Sequence, residues 1–270
     1  MVVGRHVSSL QFLDVLLGDR PALAPGENMY QRMLADNPDE VLDKAEALLA
    51  ERSLLEYYDT VMLRGLTLAA QDEARGLLTR EKATRMTHAM LQVIDDLSEH
   101  VDRDGAREAV VSGAAVAAGA VACISGAGPF DDAVSAMLCQ LLMRAGVRAR
   151  RISHDEVSRD RIAALDLGGV SVIALSYLDM TGSLSPLRYL VRRLRQRAPS
   201  AAVVVGLWPV AEAAGNAGGN GDAGRRDAVG ADAYVGSLRE ALAIVAGKLG
   251  AGSVPTTLPV EVLPAKQVHP

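Results

Sequence analysis

At 270 residues the chain is long enough for one large domain or two modest ones, and its formal net charge of −5 offers no general attraction for nucleic acid. Hydrophobic residues make up 49% but aromatics only 3%, so the core must be built from Ala, Val and Leu. That composition suits packed helices and Ala-rich crossovers and argues against an all-β protein.

The two cysteines, Cys123 and Cys139, fall in an apolar strand and in the helix after it, and read as buried thiols of a reducing compartment. No basic segment followed by a long apolar run opens the chain, so no signal peptide is expected. The longest uncharged run, Ala109 to Phe130, is broken by Gly113, Gly119, Gly126, Gly128 and Pro129, which excludes a membrane span there.

In chain order, residues 1–24 carry a lead-in helix between Val7 and Leu17, ended by Gly18 and Pro21. Residues 25–102 are helical throughout. A first helix covers Pro25 to Ala35. Asn37, Pro38 and Glu40 form a start signal for a second, which runs to Ala50. A third spans about Ser53 to Leu77, and Thr79 caps a fourth bearing Met86, Met90, Val93, Ile94 and Leu97. Short connections predict an antiparallel bundle, with the methionines filling gaps in its core. Residues 103–118 change to Ala, Gly and Val and read as a linker.

Residues 119–250 alternate strand and helix. Apolar runs at Ala120–Ile124, Val147–Ile152, Val170–Leu175, Ala202–Val205 and Ala233–Val235 predict strands. Helices are expected at Asp131–Arg144, Asp155–Leu165, Leu184–Arg197 and Leu238–Leu249. The fold class is therefore α/β: a helical bundle followed by a five-stranded, flavodoxin-like parallel sheet. The Gly-rich stretch 215–224 reads as a loop, and the Pro-rich residues 251–270 as a disordered tail.

Chemistry would gather at the carboxyl ends of the strands. Ser125, Gly126, Gly128 and Asp131 occupy the turn after the first strand, Ser176 ends the third and Gly206 the fourth. These six are the candidate ligand-binding residues. The turn lacks the third Gly of a dinucleotide fingerprint, Pro129 has no N–H for a pyrophosphate, and Arg150 and Arg151 stand where an acidic residue would hold a ribose. There is no Gly-x-Ser-x-Gly elbow, and His6, His88, His100, His154 and His269 are scattered, so neither a catalytic set nor a metal site is expected. Arg188, Arg192, Arg193, Arg195 and Arg197 share one helix, whose charged side reads as a solvated face or a contact for anionic lipid or an acidic partner.

Ser176-Tyr177-Leu178 and Val205-Gly206 resemble the Ser-x-Leu and the first Gly of a Gly-Gly pair in the cobalamin-binding module of methionine synthase-type and light-sensor proteins. That family's Asp-x-His-x-x-Gly would fall on Pro129 to Val134, where Asp131 replaces the axial His and Val134 the Gly. The resemblance thus implies a corrinoid-binding architecture that has lost its cofactor, although cobalamin stays open as a ligand. Gly4 to Val7, Phe12 to Asp19, Tyr30 to Leu34, Tyr57 to Asp59, Leu68 to Asp72, Arg188 to Arg195 and Val205 to Trp208 resemble the soluble C-terminal region of autoinducer-2-exporter-like (PerM-like) permeases. That similarity implies a non-enzymatic, cytoplasmic regulatory module at the inner face of a membrane, partnered by a transporter or the membrane surface, with self-association open and nucleic acid excluded. The alternative is a small-ligand sensor that takes a corrinoid or nucleotide at the strand ends.

Overall fold

The computed structural model describes residues 23–102, 119–126, 128–178, 183–208 and 229–251. The lead-in, the linker, the Gly-rich loop and the tail expected from sequence lie wholly or almost wholly outside those residues.

The helical half comprises α1 (Pro25–Leu34), α2 (Pro38–Leu49), α3 (Leu54–Tyr57), a π-helical turn (Tyr58–Met62), α4 (Leu63–Ala74) and α5 (Arg80–Asp96). The caps expected at Asn37 and Thr79 are in place, and Ser53 supplies a third. Asn37, Ser53 and Thr79 each accept a hydrogen bond from the backbone N–H three residues on, satisfying a donor that the helix itself leaves free. The single long helix expected from Ser53 is instead two helices joined by the π turn, and it stops at Ala74.

The α/β half comprises β1 (Ala120–Ser125), α6 (Pro129–Arg144), β2 (Arg148–Ile152), β3 (Val170–Tyr177), α7 (Ser185–Arg197), β4 (Ala202–Leu207), β5 (Ala233–Val235) and α8 (Leu238–Ala251). The strands form one five-stranded sheet, all parallel, in the order β2-β1-β3-β4-β5. This is the flavodoxin-like arrangement that the alternating apolar runs predicted. Gly146 turns α6 into β2 at φ +83, a left-handed position closed by the Gly146 and Val147 N–H groups on the carbonyls of Met143 and Leu142.

One expected helix does not form. Residues 155–165 run as turns with a short 3-10 segment at Ile162–Ala164. Glu156 accepts from both the N–H and the hydroxyl of Ser153, and the Ser158 carbonyl accepts from Arg161 and Ile162, so local polar groups satisfy the backbone without a helix. Val157, Ile162, Leu165 and Leu167 still reach the core.

The sheet is buried on both faces, which is why its central strands are unbroken apolar runs. Ala122, Ile124, Ile173, Leu175, Val203 and Val205 meet α7 and the 157–167 segment on the outer face. Val121, Cys123, Val172, Ala174 and Val204 belong to a second core, continuous through α6 and α8 into the helical half. The helices are thus a third layer laid over α6, and their core is continuous with that of the inner sheet face. Polar contacts fix this docking. Tyr58 donates to Gln140 of α6, whose side-chain amide donates to the Ile94 carbonyl at 2.6 Å. Asp59 of the π turn accepts from the N–H groups of Leu238 and Arg239 at 2.6 and 3.1 Å, capping α8 from across the layer.

Candidate functional site

The sheet reverses its strand order between β1 and β3, the position where open α/β sheets form their ligand crevice. Ser125 ends β1 and pairs in register with Ser176 of β3, which pairs in turn with Gly206 of β4. In a parallel ladder, paired residues point to the same side, here the face covered by α6 and α8. Three of the six predicted residues therefore form one row across the carboxyl end of the sheet.

Both serines are fully buried, and neither hydroxyl has a hydrogen-bond partner. Ser125 lies beside the Asp132 carboxylate and helps to lower its pKa, but outside hydrogen-bonding geometry. A third buried hydroxyl without a partner, Ser135, sits on α6 between Asp131 and Cys139, four residues to either side. Cys139 meets Cys123 of β1, so this helix side faces β1 and carries Ser135 with it. The contact with Cys139 and complete burial push the Cys123 thiol well above its ordinary pKa, which makes it an inert core thiol, as expected.

Gly206 is covered by the chain itself. A Cβ there would lie 2.1 Å from the Trp208 indole, which is 4% exposed and whose Nε1 has no acceptor. Trp208 thus lies flat over the Gly206 end of the row. Gly126 is held just as closely: its N–H donates to the Ser176 carbonyl at 2.9 Å, and a Cβ would lie 2.7 Å from the Tyr177 ring.

Gly128 and Asp131 serve the fold. Gly128 is the N-cap of α6, and its N–H donates to Asp131 at 3.2 Å. The other oxygen of Asp131 accepts from the Leu178 N–H at 2.7 Å, which ties the end of β3 to the start of α6. The carboxylate thereby fills the anion site that a helix N-terminus offers.

Next to it, Asp132 accepts from the His154 backbone N–H at 2.9 Å and from its Nδ1 at 2.7 Å. Burial raises the Asp132 pKa, but the His154 ring and backbone N–H and the Ser125 hydroxyl outweigh it, leaving it below the ordinary value. The same hydrogen bond to Asp132 raises the His154 pKa. His154 is the loop residue after β2 that the sequence suggested, but its ring is engaged at both nitrogens, Nε2 lying 3.6 Å from Asp155. Both ring nitrogens of His154 face carboxylates and the Ser125 hydroxyl has no partner, so the trio of Ser125, Asp132 and His154 lacks the nucleophile–base contact of a hydrolytic triad.

Sequence reasoning found Ser125, Ser176 and Gly206 but missed Ser135, Asp132, His154 and Trp208. The Asp132–His154 pair spans 22 positions with no motif between them. Trp208 could have been found by parity, since it lies two residues beyond Gly206 and so on the same sheet face.

Among the described residues no group of three or more His, Cys, Asp or Glu side chains could hold a metal, and no helix is long and apolar enough to cross a membrane. No family model and no curated protein matches the chain, so the similarity to PerM-like permeases finds no support there. Among solved structures, a novel cobalamin-binding protein from Desulfitobacterium hafniense DCB-2 aligns over 82% of this chain and 97% of its own, at 14% identity and a TM-score of 0.36. A likeness of that strength says nothing about a ligand.

Proposed function

We propose that the chain is a non-enzymatic small-ligand-binding module whose site is the row Ser125–Ser176–Gly206, roofed by Trp208. The observation that carries this reading is the set of buried polar atoms without partners at that row: the hydroxyls of Ser125, Ser135 and Ser176 and the Trp208 indole nitrogen. Folded proteins pair nearly all such groups, and a cluster left unpaired at a topological switch point calls for a ligand. The hydroxyls can donate or accept, while the indole only donates, so the matching ligand offers both kinds of group.

The first turn of α6 already holds the carboxylates of Asp131 and Asp132, and Pro129 has no N–H. This favours a ligand with no phosphate at that helix end over a nucleotide. A corrinoid also fits poorly. The position corresponding to its axial imidazole is Asp131, 1% exposed and bound to two backbone N–H groups, and Trp208 fills the space over Gly206. The permease association has no structural observation of its own. The non-catalytic part of the proposal rests on His154, whose two nitrogens face carboxylates rather than a nucleophile.

Trp208 is the chain's single tryptophan, so its emission reports on the site directly. Titrating the protein with a panel of nucleosides, small amides, sugars and cobalamins while recording emission tests the proposal. Saturable change with at least one uncharged polar compound is expected. A flat response across the panel, with Trp208 still shielded from a soluble quencher, counts against a ligand site there.

A further inference from the structure

The outer face of the molecule holds a second feature that the ligand row does not use. Helix α7 contains Arg188, Arg192, Arg193, Arg195 and Arg197 and no acidic residue. Two of the five are spent on the fold. Arg195 pairs with Asp232 at 3.0 Å and donates to the Gly230 carbonyl, and Arg197 donates to the Leu165 carbonyl at 2.8 Å. Arg188, Arg192 and Arg193 have no carboxylate or carbonyl partner among the described residues. Arg192 and Arg159 stand over the Tyr189 ring, each 5.6 Å from its centroid, and Tyr189 is 37% exposed.

This arrangement opposes the helix that carries it. Arg188 sits in the first turn, at the positive end of the helix dipole, where an acidic residue would be stabilising. Arg188 and Arg192 lie one turn apart as a like-charged pair, which destabilises a helix. Local choices that conflict with the fold mark positions held for another purpose. The apolar side of α7, with Leu187, Leu190, Val191 and Leu194, is buried against the sheet, so the helix cannot insert into anything. What it presents is a cationic ridge with a partly exposed tyrosine among the arginines.

We propose that this ridge docks, without insertion, on a membrane surface bearing anionic phospholipid headgroups. Guanidinium forks match phosphate oxygens in pairs, and Tyr189 suits the headgroup level, where one end of a ring is apolar and the other wet. The contact is electrostatic and therefore salt-sensitive.

The test is co-sedimentation of the full chain with vesicles of equal parts phosphatidylglycerol and phosphatidylcholine, and with phosphatidylcholine alone. Wild-type protein is expected to pellet with the anionic vesicles at low salt, to stay in solution with the neutral ones, and to be released at about 1 M salt, where the screening length falls to ~3 Å. Replacing Arg188, Arg192 and Arg193 together by Gln is expected to weaken binding about 100-fold, at roughly a factor of five for each charge lost near the surface. A second variant with Glu at the three positions should not bind. Melting curves of both establish that they fold. No binding by wild type to anionic vesicles at low salt, or wild-type binding by a folded triple variant, overturns the proposal. So does capture by an acidic protein without vesicle binding.

Discussion

Replacing Ser176 by Ala should make the ligand-free protein more stable. Ser176 is fully buried on the inner sheet face, between Ser125 of β1 and Gly206 of β4, and its hydroxyl has no partner. Burying a hydroxyl without a hydrogen bond costs about 1–3 kcal/mol. Alanine removes that cost and leaves a gap one oxygen wide, which gives back about 1 kcal/mol at most. The net expectation is a gain of roughly 1 kcal/mol, or a rise of about 2–4 °C in the melting temperature of a chain this size. Circular dichroism melts and urea titrations of the ligand-free Ser176→Ala protein measure it, provided both are reversible. A loss of more than about 1 kcal/mol would show that the hydroxyl is bonded within the fold, and would remove the main support for a ligand row. A gain would mean that the native serine is kept at the expense of stability, as residues that serve a ligand are.

Other outcomes follow from the same contacts. Gly206→Ala sets a Cβ 2.1 Å from the indole, so Trp208 must leave its place; a cost of about 1–3 kcal/mol and a red-shifted emission are expected, and unchanged emission would contradict the packing. The Asp132–His154 pair makes stability depend on pH from both sides. Asp132 is lowered, so its contribution is lost as the pH falls below the ordinary carboxylate range, while His154 is raised, so its contribution is lost as the pH rises through its elevated value. The pair therefore stabilises most between about pH 4 and 6.5, and Asp132→Asn should flatten the stability profile across that window. Asp59→Ala removes the cross-layer cap of α8 and leaves the one from Ser237, with an expected loss of about 1–2 kcal/mol and faster amide exchange at Leu238 and Arg239; protection equal to wild type would show that the Asp59 cap contributes nothing.

The fold was readable where one element answers to one pattern. The apolar runs at 120–124 and 170–175 are strands buried on both faces, and nothing but a parallel sheet under helices accounts for such runs. The caps at Asn37 and Thr79 were readable because a cap is a local device. The failure at 155–165 has the same root: Val157, Ile162 and Leu165 have spacing compatible with a helix, but Ser153, Glu156 and Ser158 satisfy their own backbone in turns. The bundle was readable from short loops, but that its core runs on from Met62 through Met137 to Val121 depends on how α6 is sandwiched, which no local pattern encodes. At the site, Ser125, Ser176 and Gly206 were readable as strand ends. That Asp131 clamps Leu178, that Asp132 binds His154 and that Trp208 roofs Gly206 depended on loops brought together by the sheet.

The most direct test of the ligand row is a thermal-shift screen of a broad metabolite library against wild-type protein and the Ser125→Ala/Ser176→Ala double variant in parallel. Compounds that raise the wild-type melting temperature in a dose-dependent way and leave the double variant unmoved are the expected result. A library in which no compound stabilises the wild type, or in which every hit stabilises both proteins equally, would contradict a binding site at Ser125 and Ser176.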